Sequence, residues 1–141
     1  KTYCEWIGGR LPTEAEWEAA ARCGEDTLYT GSTVIGDVAW YYSNSGSTTN
    51  TVATKEPNAC GLYDMSGNAW EWTQDWYSSS YYSSSPVTDP GGATFGDYRV
   101  GRGGSWGSIP SGARVSLRDQ WNPANRADFS GLRLSRTSPG E

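Results

Sequence analysis

Apolar and polar positions near the start of the chain predict two helices. Residues 3–7 are typical of the end of a helix, because a pair of glycines follows at once. The segment LPTEAEWEAAARCG (11–24) predicts a second helix with a stripe of Trp and Ala on one side. Thr13 and Glu16 have the spacing of a capping box, in which each side chain bonds the backbone N–H of the other residue. Gly24 is the predicted end of this helix.

Period-two alternation later in the chain predicts short strands. In NAWEWTQDW (68–76), Trp70 and Trp72 fall on one side of a strand, and Glu71 and Thr73 fall on the other. Further strands are predicted at 38–42, where a buried aromatic patch is the alternative, at 98–106, which runs into a glycine turn, and at 113–119 and 131–136. Long polar segments separate these elements, so the pattern predicts an α+β fold with much irregular backbone.

Composition places the chain among small, loop-rich domains. Its 141 residues are most simply one domain, spanning 1–141. Eight Trp and nine Tyr accompany two Phe, and Trp and Tyr usually keep a polar tip at a partner or at water. The formal net charge of -5 argues against non-specific nucleic-acid binding and permits cation binding. No apolar run is long enough to cross a membrane, and the compartment stays open.

The number of cysteines and the absence of histidine limit the metal sites and catalytic mechanisms that the chain can support. Cys4, Cys23 and Cys60 are odd in number and widely spaced, which gives neither a zinc motif nor an evident disulfide framework. We therefore expect buried free thiols. The chain contains no histidine, which excludes histidine-based acid–base catalysis, Ser-His-Asp triads and metal sites built on imidazole.

The segment GLYDMSGNAWEWTQDWY (61–77) holds two carboxylates, Asp64 and Glu71, around a glycine-containing turn. Hard cations such as calcium take carboxylate and carbonyl oxygens from turns of this kind. Spacing alone favours solvated or ion-paired carboxylates over calcium. The C-terminal arginines are expected to pair internally rather than to form an anion site. These arginines are Arg114, Arg118, Arg126, Arg133 and Arg136, and their expected partners are Asp119, Asp128, Glu16 and Glu18.

Four motifs, in order, carry a resemblance to a known family. They are RLPTEAEWEAAAR, GLYDMSGNAWEWTQDWY, RGGSW and ARVSLRDQWNPANRADFSGLRLSR. Together they resemble the C-terminal part of the formylglycine-generating enzyme (sulfatase-modifying factor) family over nearly the whole chain. The resemblance implies a loop-rich variant of the C-type lectin fold. It also implies an N-terminal part of the domain that is missing here, expected as a preceding segment or a second chain.

The resemblance changes the expectation for the two carboxylates. In the family, the loop that matches Asp64, Gly67, Ala69 and Glu71 binds a structural calcium ion through side chains and carbonyl groups. Asp64 and Glu71 keep the carboxylates, and Gly67 keeps the turn. We therefore expect structural calcium at these four residues.

The resemblance does not extend to the catalytic chemistry of the family. Its enzymes bind copper(I) with two cysteines five residues apart, whereas no cysteine follows Cys60 here. Soft thiolates select copper(I), so no copper is expected. A related branch holds iron with three histidines, and this chain has none to contribute. We therefore expect a catalytically degenerate, non-catalytic member. The alternative is a formylglycine-generating oxidase, or a related oxidoreductase, acting on a sulfatase cysteine.

The other use of the fold is ligand binding. Some members of the superfamily are variable proteins of diversity-generating retroelements, in which the segment between the RGGSW motif and the GLRL-type strand varies. The matching loops here, 107–130, form the predicted face for a protein or small-molecule ligand. The predicted binding residues are Trp106, Ser108, Ile109, Ser111, Leu117, Asp119, Gln120, Trp121, Asn122, Asn125, Asp128 and Phe129. Trp121 and Phe129 are aromatic anchors of the kind that dominate binding surfaces. A structural domain attached to a kinase or another enzyme is the third interpretation.

Overall fold

Short helices and strands joined by long loops form an α+β structure. The computed structural model describes residues 2–136. The helices are α1 (Thr2–Trp6), α2 (Glu14–Arg22) and α3 (Ile35–Val38), with 3₁₀ turns at Tyr81–Ser83 and Pro110–Ala113. The strands are β1 (Ala39–Trp40), β2 (Ser66–Gly67), β3 (Trp70–Trp76), β4 (Arg99–Arg102), β5 (Asp119–Trp121) and β6 (Ser130–Leu132).

Helix α2 begins and ends as its sequence predicts. Thr13 Oγ1 accepts a hydrogen bond from the N–H of Glu16, and the Glu16 carboxylate accepts one from the N–H of Thr13. The predicted capping box is therefore confirmed. Cys23 lies in the left-handed region and caps the C-terminal end, one residue before the predicted stop at Gly24.

A four-stranded sheet in the order β5-β4-β3-β6 forms the centre of the domain. Strand β4 pairs antiparallel with both β3 and β5, and β6 pairs parallel with β3. Glu71 on β3 lies opposite Arg102 on β4 and opposite Gly131 on β6. Strands β1 and β2 form a separate parallel pair, which decides between the two interpretations of 38–42 in favour of a short strand.

Two predicted strands are shorter than their alternation indicates. Only the last residue of the predicted strand 113–119 is in β5, although Ala113 and Val115 are buried as the alternation requires. Val115 donates its N–H to Leu28 O, outside any sheet, so tertiary contacts rather than strand pairing bury this side of the segment. The predicted strand 131–136 ends at Leu132 and resumes as a single bridge between Arg10 and Ser135.

Helix α2 covers one face of the sheet, here called the inner face. Trp17 and Ala21 of α2 pack with Met65 and Val115 in the main apolar cluster. A second cluster contains Tyr29, Val38 and Ala113. On β3 the inward positions are Glu71, Thr73 and Asp75, all buried, whereas Trp72 and Trp76 on the other face are half-buried. The core under α2 is therefore partly polar, and its carboxylates need hydrogen-bond donors.

Between residues 2 and 136, none of the helices has the length and apolarity required to span a membrane.

Candidate functional site

Four aromatic side chains meet on the outer face of the sheet, opposite α2. The ring centroid of Trp121, on edge strand β5, lies 5.8 Å from that of Trp70, 6.4 Å from that of Trp72 and 5.1 Å from that of Phe129. Gly101 on β4 leaves room for this ring, since a Cβ there would lie 2.7 Å from Trp121 Cδ1. Tilted and edge contacts of this kind are favourable for aromatic pairs. The structure thus brings the two predicted anchors, Trp121 and Phe129, together on the sheet.

The twelve predicted binding residues differ in exposure and contacts. Ile109, Ser111, Gln120, Asn122, Asn125 and Asp128 are exposed, whereas Trp106, Ser108, Leu117, Asp119, Trp121 and Phe129 are half-buried. Ser108 Oγ accepts a hydrogen bond from Ser105 N–H at 2.9 Å, and the backbone carbonyl of Trp106 accepts one from Ser45 Oγ at 2.9 Å. Through these contacts Trp106 and Ser108 stabilise the turn after β4. Exposed polar side chains are concentrated along β5 and the connection from β5 to β6.

Glu71 is held by an arginine and a tryptophan. Arg133 Nη2 donates to Glu71 Oε1 at 2.7 Å, and Arg133 Nε donates to Oε2 at 2.9 Å. Trp17 Nε1 also donates to Oε2, at 2.7 Å. A bidentate arginine–carboxylate pair with a third donor satisfies a buried carboxylate well. Glu71 therefore links α2, through Trp17, and the segment after β6, through Arg133, to the centre of the sheet.

Asp64 and Glu71 both line a cavity of about 550 Å³, which Ala69 also lines. Asp64 Oδ2 accepts a hydrogen bond from Ala53 N–H at 2.8 Å. Asp64 Oδ1 is buried and has no hydrogen-bond partner in the described part of the chain. Gly67, the fourth predicted calcium residue, lies on the buried strand β2, where its N–H donates to Gly103 O at 2.8 Å. Three of the four predicted calcium residues thus line one cavity.

The unpartnered oxygen of Asp64 is the feature of this cavity that a cation would stabilise. A buried carboxylate oxygen without a donor is stabilised by a positive charge, and calcium also binds main-chain carbonyl oxygens. Arg133 already supplies a positive charge to Glu71, so Glu71 would be shared between the guanidinium and an ion. Across residues 2–136 no three His, Cys, Asp or Glu side chains cluster as metal ligands, so such a site would depend on main-chain oxygens.

Two of the five C-terminal arginines, Arg118 and Arg133, form ion pairs among residues 2–136, but not with the predicted partners. Arg118 Nε and Nη2 donate to the two carboxylate oxygens of Glu14 at 2.5 and 2.8 Å. The Arg118 guanidinium also lies 5.1 Å from the ring centroid of Tyr77 and 4.8 Å from that of Tyr82. Arg133 pairs with Glu71, as described above. The predicted partners Asp119, Asp128, Glu16 and Glu18 are therefore wrong for Arg118 and Arg133. On α2 it is the buried Glu14 that binds Arg118, whereas Glu16 pairs with Arg10, and Glu18 pairs with Arg22 and Arg102.

Asp75 is a buried carboxylate that sequence reasoning missed. Its Oδ2 accepts a hydrogen bond from Glu14 N–H, at the start of α2, at 2.7 Å. Its Oδ1 has no partner among the described residues. Burial raises the pKa of Asp75 to about 6, with the hydrogen bond from Glu14 N–H and the charge of Arg118 acting in the opposite direction. The alternation of β3 was the available signal, because Asp75 lies two residues after Thr73 and therefore on the same, inward side of the strand.

The prediction of buried free thiols is wrong for two of the three cysteines. Cys23 and Cys60 form a disulfide between the C-cap of α2 and the loop that precedes Asp64. Cys4 is buried and free. Spacing did not indicate this pair, because a disulfide depends on which loops the fold brings together. With one free thiol, the residues of this chain do not fit a copper(I) site built on a cysteine pair.

Known proteins match this chain over nearly its whole length, in agreement with the family resemblance of its motifs. The family model described as Sulfatase-modifying factor enzyme 1-like domain matches residues 1–138. Serine/threonine-protein kinase pkn1 of Chlamydia pneumoniae is 41% identical over 138 residues, which cover 95% of this chain and 22% of the kinase. The formylglycine-generating enzyme of Streptomyces coelicolor is 38% identical over 151 residues, which cover 94% of this chain and 48% of the enzyme.

A solved structure is similar in both sequence and fold. Treponema denticola variable protein 1 matches with a TM-score of 0.85 and 43% identity, over 89% of this chain and 46% of that protein. The chain therefore spans less than half the length of each of these three relatives.

Proposed function

The chain belongs to the sulfatase-modifying factor family and has its loop-rich variant of the C-type lectin fold, and from that premise we propose that it is a non-catalytic binding module. Its ligand is a protein or a small molecule that docks on the 107–130 loops. The observation that carries this proposal is the pair formed by Trp121 and Phe129, in which Trp121 also packs against two tryptophans of β3. Preformed aromatic anchors lose little entropy on binding.

The surroundings of this pair support recognition. Gln120, Asn122 and Asn125 are exposed beside it and carry amide groups that both donate and accept hydrogen bonds. An aromatic centre with a polar rim is the usual anatomy of a protein interface.

Selection from a random peptide library displayed on phage tests the proposed face. Peptides selected on the wild-type chain should bind the Trp121→Ala/Phe129→Ala variant at least tenfold more weakly. Because that variant removes packing, Asn122→Arg, at an exposed position, provides the same test without a change in the core. Thr49→Arg is the matched control in another exposed loop. If the selected peptides bind all of these variants alike, the assigned face is wrong.

The sharper form of the proposal is a variable protein diversified by a retroelement. The similarity to Treponema denticola variable protein 1 supports it. Sibling sequences from the same genome should then differ mainly within 107–130 and agree on both sides of it. Differences spread evenly along the chain would count against diversification and leave the binding proposal to the peptide experiment.

We also propose that calcium stiffens the loop at Asp64. The ion would be held by Asp64, the main-chain carbonyl of Ala69 and Glu71, with Gly67 keeping the turn between them, and it would neutralise the buried Asp64 oxygen that lacks a donor. A ligand that binds only the native state raises the melting temperature. Calcium should therefore raise the melting temperature of the wild-type chain but not that of Asp64→Asn. Asp97→Asn, which removes an exposed carboxylate elsewhere in the chain, is the control and should respond like the wild type. Equal melting temperatures in calcium and in chelator would reject the site.

An oxidase is the alternative function, favoured by the 38% identity to the Streptomyces coelicolor enzyme. Incubation with copper(I), oxygen and a cysteine-containing sulfatase peptide, followed by mass spectrometry, separates it from a binding module. We expect unchanged peptide, because the chain lacks a free pair of thiols. Formation of the aldehyde would overturn the non-catalytic proposal.

A module within a kinase chain is compatible with binding, and the 41% identity to the chlamydial kinase favours this setting. The genomic sequence on either side of this segment tests it. A kinase catalytic sequence in the same reading frame would support the setting, and its absence would leave the module on its own.

A further inference from the structure

A second cavity, of about 510 Å³, lies between α1 and the outer face of the sheet. It meets the 107–130 loops at Pro123, and it adjoins the cavity that contains Asp64, with which it shares Tyr3 and Leu132. Trp72, Arg99 and Leu132 line it from the sheet side. Its volume is within the range of small-molecule sites, which combine apolar walls with a few polar groups.

Arg99 is a cation that is held in place without a carboxylate partner. The ion pairs formed by residues 2–136 do not include it. Its guanidinium carbon lies 3.5 Å from the ring centroid of Trp76, and its Nη1 donates to the backbone carbonyl of Gln74. Arg10, the other arginine that lines the cavity, is already bound by both carboxylate oxygens of Glu16, at 2.6 and 2.7 Å.

The surroundings of Arg99 favour an incoming anion. Burial lowers the pKa of Arg99, and the charge of Asp75, behind the sheet, offsets this only in part. A half-buried guanidinium with N–H donors to spare, fixed by stacking on a ring, is oriented for a carboxylate.

The rest of the cavity selects the body of the ligand and its charge. Trp72 is half-buried, and Leu132 is 46% exposed, so together they present an apolar wall on which a planar ring can pack. Glu5, on the wall formed by α1, is exposed and carries a negative charge. A dianion such as a phosphate monoester would be repelled by Glu5 more strongly than a single carboxylate.

We propose that this cavity binds small monocarboxylates with an aromatic body, with the carboxylate paired to Arg99 and the ring against Trp72. This site adjoins the 107–130 face at Pro123, and its Trp72 ring contacts Trp121, but Arg99 lies outside the 107–130 loops. Substitutions at Arg99 therefore test this site apart from the 107–130 face.

Ligand-observed NMR titration of the chain with 3-phenylpropionate tests the proposal, and the neutral 3-phenylpropionamide serves as the matched ligand. The acid should bind at least about fivefold more tightly than the amide, since a charge-assisted pair is about twice as strong as a neutral hydrogen bond. Arg99→Gln should remove this difference, and Arg99→Lys, which keeps the charge, should retain part of it. Trp72→Leu should weaken both ligands. Lys55→Gln is the control, because Lys55 also stacks on a tryptophan, 4.3 Å from the centroid of the Trp40 ring, in another part of the fold.

Two results would overturn the site. One is equal affinity of the acid and the amide for the wild-type chain. The other is unchanged acid binding by Arg99→Gln. Tighter binding of phenyl phosphate than of 3-phenylpropionate would reject the preference for a single negative charge. If Arg99→Gln unfolds, the wild type is compared with Arg99→Lys instead. An acid–amide difference in Arg99→Lys that equals that of the wild type would again reject the proposal.

Discussion

Loss of the disulfide between Cys23 and Cys60 should lower the free energy of unfolding by about 4 kcal/mol. The bond closes a loop with a sequence separation of 37. The loop-closure relation assigns to a loop of that length an entropy of about 13 cal/mol/K, which is about 4 kcal/mol at room temperature. Typical domains have roughly 5–15 kcal/mol of stability, so this one bond is a large share. With a denaturant slope of about 2 kcal/mol per molar urea, the unfolding midpoint should fall by about 2 M.

Equilibrium urea unfolding, followed by tryptophan fluorescence, measures this effect on Cys23→Ser, Cys60→Ser and the double variant. Either single substitution removes the whole bond, so each should lower the midpoint nearly as much as the double variant does. A reductant should lower the midpoint of the wild-type chain and leave that of the double variant unchanged. A double variant that unfolds at the wild-type urea concentration, or single effects that simply add, would refute the reasoning.

Two further substitutions test buried features of the sheet. The folded pKa of Asp75, about 6, exceeds its ordinary value of 3.8, so this carboxyl contributes most to stability below about pH 4 and loses that contribution as the pH rises through about 6. Asp75→Asn, which still accepts the Glu14 N–H, should raise the urea midpoint at about pH 7.5, and a lower midpoint there would contradict this. Gly67→Ala should destabilise more than Gly61→Ala. Their φ angles are 78° and 74°, but a methyl group at Gly67 meets the Trp40 carbonyl, whereas one at Gly61 meets nothing within 4 Å. Each left-handed alanine costs about 1–2 kcal/mol, and the collision adds about 1–3 kcal/mol, so equal losses would refute the steric argument.

Local signals in the sequence were sufficient to predict α2 and β3. The capping box of α2 involves residues three apart, and the alternation of β3 follows from the period of a strand. Both patterns depend on neighbours in the chain, so they hold whatever the rest of the fold does. The alternation at 113–119 looked the same but was produced by burial of a loop, because period two reports which side chains are buried rather than whether a strand pairs.

Long-range pairs were beyond the reach of sequence reasoning. Glu14 and Arg118 are 104 residues apart, and Glu71 and Arg133 are 62 apart. Nothing local in the sequence distinguishes Glu14 from Glu16 or Glu18 as the partner of Arg118. The choice is made by which side of α2 faces the sheet. The same limit applied to the disulfide, whose two cysteines meet only when the loop before Asp64 folds against the end of α2.

The candidate face was predicted as a segment, but its organisation depends on the sheet. Sequence reasoning grouped Trp106 and Ser108 with Trp121 and Phe129, because all four fall near or within 107–130. The structure instead ties Trp106 and Ser108 into a hydrogen-bonded turn. It packs Trp121 and Phe129 against each other on the outer face, where Gly101 on β4 leaves room for the Trp121 ring to lie across the sheet.

Two arginines hold the backbone of the connection from β4 to β6 through contacts that do not involve its exposed side chains. Arg102, fully buried, donates to the carbonyl groups of Val115 and Leu117, each at 2.8 Å. Arg118 is bound to Glu14 on α2. Two of these acceptors are backbone carbonyls, and such contacts do not depend on the side chains at Gln120 or beyond. Substitutions at exposed positions usually change stability by no more than about 0.5 kcal/mol. A surface whose backbone is held by Arg102 and Arg118, and whose exposed side chains contribute little to stability, can therefore change its exposed residues without loss of the fold.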